Sequence, residues 1–248
     1  MLPPLDIGYI SEQLAELGEE IQRACDESGA DISPSPQVLL QGLAHLLAVM
    51  TAADDADPTH PSEPPRETRA STPDALLDHG LDLLGQLAGL ATALGLQTQA
   101  RAVELLSLPL CCWSIRRGGE LQHPTLVASA TTTLVEQIQL PEQSLALCRL
   151  IDEILDGSAI ERLQEMDAAN PPRAWRTLVL DRARAATLSR QPDLMEAAYA
   201  AVTEYLLEDA PAFFRDIASH LEPSTYPPAA REIIQRYVHD CCASRRLH

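Results

Sequence analysis

The sequence predicts an all-α protein, an array of antiparallel helical hairpins of α-solenoid type or an irregular helical bundle. Three observations carry that prediction. Apolar residues recur at steps of three and four nearly everywhere, and no stretch holds a strict apolar–polar alternation. Leu, with 39 residues, and Ala dominate the apolar content, and both favour helix over strand. Aromatic residues make up only 4% of the chain, so Leu and Ala must fill the core.

In chain order, residues 6–28 come first. They place Ile7, Ile10, Leu14, Leu17, Ile21, Ala24 and Ser28 on a heptad seam, with acids outside it. A turn rich in Ser and Pro comes next. A second helix over 36–52 then carries Leu39, Leu43, Leu46, Leu47 and Met50. Residues 1–52 are therefore expected to form an N-terminal helical hairpin. The segment 53–73 contains five Pro and no large apolar residue. It cannot bury enough surface to offset its ordering entropy and is expected to be a flexible acidic linker, cut first by trypsin at Arg66 or Arg69.

Residues 74–248 read as a multi-helix α-hairpin domain. The expected helices span 74–95, 97–117, 124–139, 141–156, 158–168, 171–190, 192–208, 210–221 and 227–245. Gly85 and Gly89, four apart in the first of these, suit a close helix approach. Pro109 is expected to kink the second. Arg116-Arg117-Gly118-Gly119 ends it with late cations and Gly. Asp209-Ala-Pro and Thr225-Tyr-Pro-Pro start the last two.

Charge is segregated along the chain. Residues 1–170 hold 26 acids against 8 Arg and carry the whole net charge of −18; residues 171–248 hold 10 of each. The acidic part repels nucleic acid and anionic membrane, so neither is expected as a partner. Every cation is Arg, none Lys, which with the abundant Ala and Pro suggests a GC-rich bacterial genome. The N-terminus shows no secretory pattern, and the apolar stretch within 83–101 is short for a membrane span. The six Cys include two adjacent pairs and suit reduced thiols in a cytoplasm.

No nucleophile elbow, P-loop or dinucleotide fingerprint is present, and no cofactor is expected. His239, Cys241 and Cys242 lack the spacing of a zinc site, so no metal is expected either. The unusual helix is 171–190. Trp175, Leu178, Val179, Ala185 and Ala186 form one face, and Arg182 falls in its middle. A buried Arg needs a carboxylate, so Arg182 marks either a recessed anion site or a structural ion pair. Arg173 and Arg176 lie in the first turn with Arg184 on their side. They could hold a carboxylate or phosphate beside Trp175, or form an ordinary solvated face. Seven of the nine aromatics fall in the last third. Phe213 and Phe214 stand 100° apart on a helix, so either one ring faces a partner or both pack between helices.

Ala174-Trp175-Arg-Thr-Leu178, with Ala197 and Ala198 in the next helix and Pro211 beyond it, resembles a tetratricopeptide repeat. The resemblance covers 174–211. The Gly and Tyr expected after the Leu are absent, and the unit is several residues longer. It implies an α-hairpin used to bind peptide or protein and assigns no binding residues.

Together these readings lead to the expectation of a non-enzymatic interaction module. It would hold another protein, an acidic segment among the options, through Arg173, Arg176, Arg182, Arg184, Trp175, Phe213 and Phe214. The alternatives are an enzyme with a site between helices around Arg182, and a helical sensor of a small ligand.

Overall fold

A computed structural model of the chain describes residues 2–29, 33–55, 72–138, 140–158, 173–220 and 225–243. They are all-α. The helices are α1 (Ile7–Ser28), α2 (Pro36–Asp55), α3 (Pro73–Ala93), α4 (Gln97–Leu105), α5 (Ser107–Ile115), α6 (Thr125–Gln137), α7 (Pro141–Asp156), α8 (Arg173–Ser189), α9 (Pro192–Tyr205), α10 (Ala210–Ser219) and α11 (Pro228–Ala243). No strand occurs among the described residues, only an isolated parallel bridge between Leu121 and Ser158. Of the helix expected over 158–168, Ser158 forms that bridge and residues 159–168 lie outside the described residues.

The chain divides into two compact units that do not follow chain order. The first holds residues 3–130 together with the stretch from Glu153; the second holds 131–152 and the stretch from Arg173 onward. The hairpin expected over 1–52 is present, but it is not set apart from the helices after it. In the first unit α2 packs on α3, and α1 packs on α4 and α5.

Asp6 caps α1, accepting from the Tyr9 N–H at 2.7 Å. Gly29 ends it at φ 62°, a left-handed conformation open to Gly, and returns its N–H to Asp26. The buried seam is Ile7, Ile10, Leu14, Gly18, Ile21 and Cys25. It departs from the expected heptad at Leu17, Ala24 and Ser28. A straight helix of 3.6 residues per turn drifts about 20° per heptad, which moves the seam one residue on.

Helix α2 runs on to Asp55, so residues 53–55 are helical and not linker. At the other end of that expected linker Thr72 caps α3 and Pro73 is its first residue, while residues 56–71 lie outside the described residues. Asp54 stays helical because its carboxylate is used: Trp113 Nε1 donates to it at 2.9 Å and Arg117 pairs with it. The expected helix 97–117 is two helices that meet at Leu106. Pro109 has no N–H for the Leu105 carbonyl and its ring crowds that group. The break therefore falls one turn upstream and leaves Pro109 in the first turn of α5. Helix α5 is buried continuously from Ser107 to Ser114. The close approach expected at Gly85 and Gly89 does not occur, since a Cβ at either would meet nothing within 4 Å. Gly80 takes that role instead: a Cβ there would stand 2.6 Å from a Leu110 methyl.

In the second unit α8 pairs with α9 and α10 with α11, and α11 also lies on α9. Arg190, at φ 59°, turns the chain between α8 and α9. Tyr199 is the centre of the aromatic core. Its ring meets Phe214 edge-on at 5.0 Å and Tyr237 at 5.3 Å, and its hydroxyl lies 2.7 Å from Thr187 Oγ1.

Candidate functional site

The Arg-bearing helix is satisfied from within its own unit. Arg182 pairs with Asp152 of α7, and their side chains keep only 19% and 26% of their exposure. Of the two readings of Arg182, the structural ion pair is the one observed. Arg176 pairs with Asp209, and Arg184 Nη1 donates to Asp181 at 3.1 Å. Only Arg173 of the four is exposed, and it has no ion-pair partner among the described residues.

The aromatic candidates are core residues. Trp175 is 3% exposed and packs edge-on against Tyr205, so no indole face stands beside the first turn. Phe213 and Phe214 are both buried, corresponding to packing between helices. Neither ring faces outward, because α10 is covered on one side by Tyr199 of α9 and on another by Tyr237 of α11. The candidate residues thus share a unit without forming a recessed site.

Sequence reasoning missed one buried acid in that unit. Asp181 has no exposure and accepts hydrogen bonds from Thr131 at 3.2 Å and Thr132 at 2.6 Å. Burial pushes its carboxyl above the ordinary value, and the Thr132 bond and the Arg184 charge pull it partly back. A signal existed in the sequence: Leu178, Asp181 and Ala185 follow helical spacing along the buried face.

Burial pushes the Cys112 and Cys148 thiols up to about 12 and Cys111 well above its usual value, so all three stay protonated near neutrality. Among the described residues no three His, Cys, Asp or Glu side chains come together in a way that could hold a metal ion.

An open groove lies on the α1–α2 hairpin. Helix α2 carries two stripes. Leu39, Leu43, Leu46 and Met50 face inward; Gln41, Ala44, Ala48 and Asp55 trace a second line that opens on the groove. Helix α1 supplies Ser11, Ala15, Gly18, Gln22 and Asp26. Leu14, Leu40 and Leu47 form the floor, and the volume is about 1390 Å³. Gly18 lets Leu40 of α2 pack closely on the α1 backbone, because a Cβ there would stand 2.8 Å from it. By length and composition α2 is apolar enough to cross a membrane, yet only 33% of its most apolar window is buried. The rim is acidic, with Glu19, Asp26 and Asp55 against Arg23. Gln22 Nε2 donates to Asp26 at 2.8 Å, and Gln22 Oε1 is buried without a hydrogen-bond partner. The groove is hard to see in the sequence, since a line of Ala, Gly and Gln does not register as an apolar face.

No family model matches this chain, and no curated protein or solved structure matches it.

Proposed function

We propose that the protein is a non-enzymatic docking module that binds another protein in the α1–α2 groove. The observation that supports this best is the exposure of α2. A helix this apolar normally buries most of its length, and here it opens into a groove floored by Leu and Ala. An open groove suits a macromolecular ligand better than an enclosed small-molecule cavity would. The rival enzyme reading loses support because Arg182 is occupied by Asp152. The acidic rim disfavours an anionic lipid surface.

This shifts the contact surface from the Arg-bearing helix to the N-terminal hairpin and keeps the protein-binding role. The finer architecture, an irregular array of hairpins that is tetratricopeptide-like over 174–211, is part of the same proposal. So is a setting in a bacterial cytoplasm.

Site-specific photo-crosslinking in the native cell tests the reading, with a benzophenone side chain placed at Ala48 or at Arg173. A discrete protein adduct from Ala48 and none from Arg173 is expected. Adducts from Arg173 alone would return the site to α8. None from either position would remove the docking role.

A further inference from the structure

We infer that the occupant of the groove is a cationic amphipathic helix of about four turns. This rests on the docking role proposed for the groove, and it specifies the partner's chemistry.

Length comes first. The α1 residues that line the groove run from Ser11 to Asp26, which at 1.5 Å per residue is about 22 Å. A helix of about 15 residues fills that distance. The floor combines Leu14, Leu40 and Leu47 with the small side chains of Ala15, Ala44 and Ala48, so a second helix can approach closely and lay one apolar stripe along it.

Charge decides the rest. Residues 1–55 contain ten acids and a single base, Arg23, which is −9, half of the net charge of −18. The short connection after α1 puts Asp26 at the turn end of the groove, and Asp55 closes α2 at the other end. Glu19 lies between them. Among the described residues none of these three is ion-paired. The rim carboxylates Glu19, Asp26 and Asp55 thus outnumber its one cation, Arg23, by three to one.

A guanidinium that reached Asp26 would also satisfy Gln22 Oε1 once the amide rotates toward it. A second copy of this chain fits poorly, because a two-fold contact would set one acidic rim against another.

The test is a display library of helical peptides of about 16 residues, with core and flanking positions randomised and the full chain as target. The expected binders carry Arg or Lys flanking a Leu- or Ala-rich stripe. Their affinity should fall about tenfold on the triple variant Glu19→Gln, Asp26→Asn, Asp55→Asn, and also as salt rises. Ala48→Arg, an exposed position on the groove, should block them. If the selected binders are neutral or acidic but still blocked by Ala48→Arg, the charge inference is overturned and the groove reading stands. If cationic binders are indifferent to Ala48→Arg, or no binder emerges, both fail. Binding of the full chain to phosphatidylcholine vesicles, lost in Ala48→Arg, would put lipid in the groove and also overturn both.

Discussion

Removing the Arg182 side chain separates a structural ion pair from a solvated face. An exposed ion pair contributes about 0–1 kcal/mol, and stripping one partner from a fully buried pair costs about 3–5 kcal/mol. Arg182 and Asp152 keep 19% and 26% of their exposure, which puts them between these limits. Arg182→Ala is expected to cost about 2 kcal/mol, part from the orphaned carboxylate and part from the lost packing of the stem. Arg182→Met keeps much of that packing and isolates the charge. A double-mutant cycle with Asp152→Asn should return a coupling of about 1 kcal/mol, largely preserved at about 0.5 M salt because the pair is partly shielded from solvent. The assay is urea unfolding in a Trp113→Phe background. Trp175, on the same helix as Arg182, then reports alone, since the chain has only 2 Trp. An Arg182→Ala variant within about 0.5 kcal/mol of wild type, or no coupling to Asp152, would refute the reasoning.

Asp181→Asn removes a buried charge while leaving an acceptor for Thr131 and Thr132. The folded-state pKa of Asp181 is raised above 3.8, so the folded protein holds the proton longer than the unfolded chain. Wild type must therefore lose stability relative to the variant as pH rises through that window, and the gap must level off above it. A gap that is flat or shrinks with rising pH, read from denaturation at several pH values, would contradict this. Phe214→Ala opens a cavity between Tyr199 and Tyr237 and is expected to cost about 3–5 kcal/mol by calorimetry. A loss under about 1 kcal/mol would mean the ring faces outward. Cys111, Cys112 and Cys148 should resist a disulfide reagent at about pH 8 while the fold holds, and prompt labelling of any of them would show a thiol more open than its burial implies.

The helices were legible because their apolar faces bury. Periodicity reports such faces directly, which is why α1, α3, α7 and α8 fall close to their expected spans. It failed where geometry, not hydropathy, decides. The α1 seam moved from Leu17 to Gly18 because 3.6 residues per turn does not hold a seven-residue repeat in line. The break before α5 falls at Leu106, since the damage done by Pro109 is to the carbonyl four residues earlier. Phe213 and Phe214 looked surplus on one helix, but neighbours on two others enclose them, and that is a tertiary fact. Asp181 shares its stripe with Leu178 and Ala185, yet only the position of Thr131 and Thr132 explains how a carboxylate survives there. The Arg residues of α8 suggested a site by type, and the acids that occupy three of them come from α7, α8 itself and the turn before α10. The groove left the weakest trace. It is lined partly by Ala, whose short side chain leaves space.

The central claim is that another protein docks on the α1–α2 groove and not on the Arg-bearing helix. The most direct measurement is the affinity of the partner crosslinked at Ala48 for three full-length proteins: wild type, Ala48→Arg, and the double variant Arg173→Glu, Arg176→Glu. A loss of at least about tenfold is expected for Ala48→Arg, equivalent to about 1.4 kcal/mol, with the double variant binding as wild type does. Full affinity in Ala48→Arg together with loss in the double variant would contradict the claim and place the contact on α8.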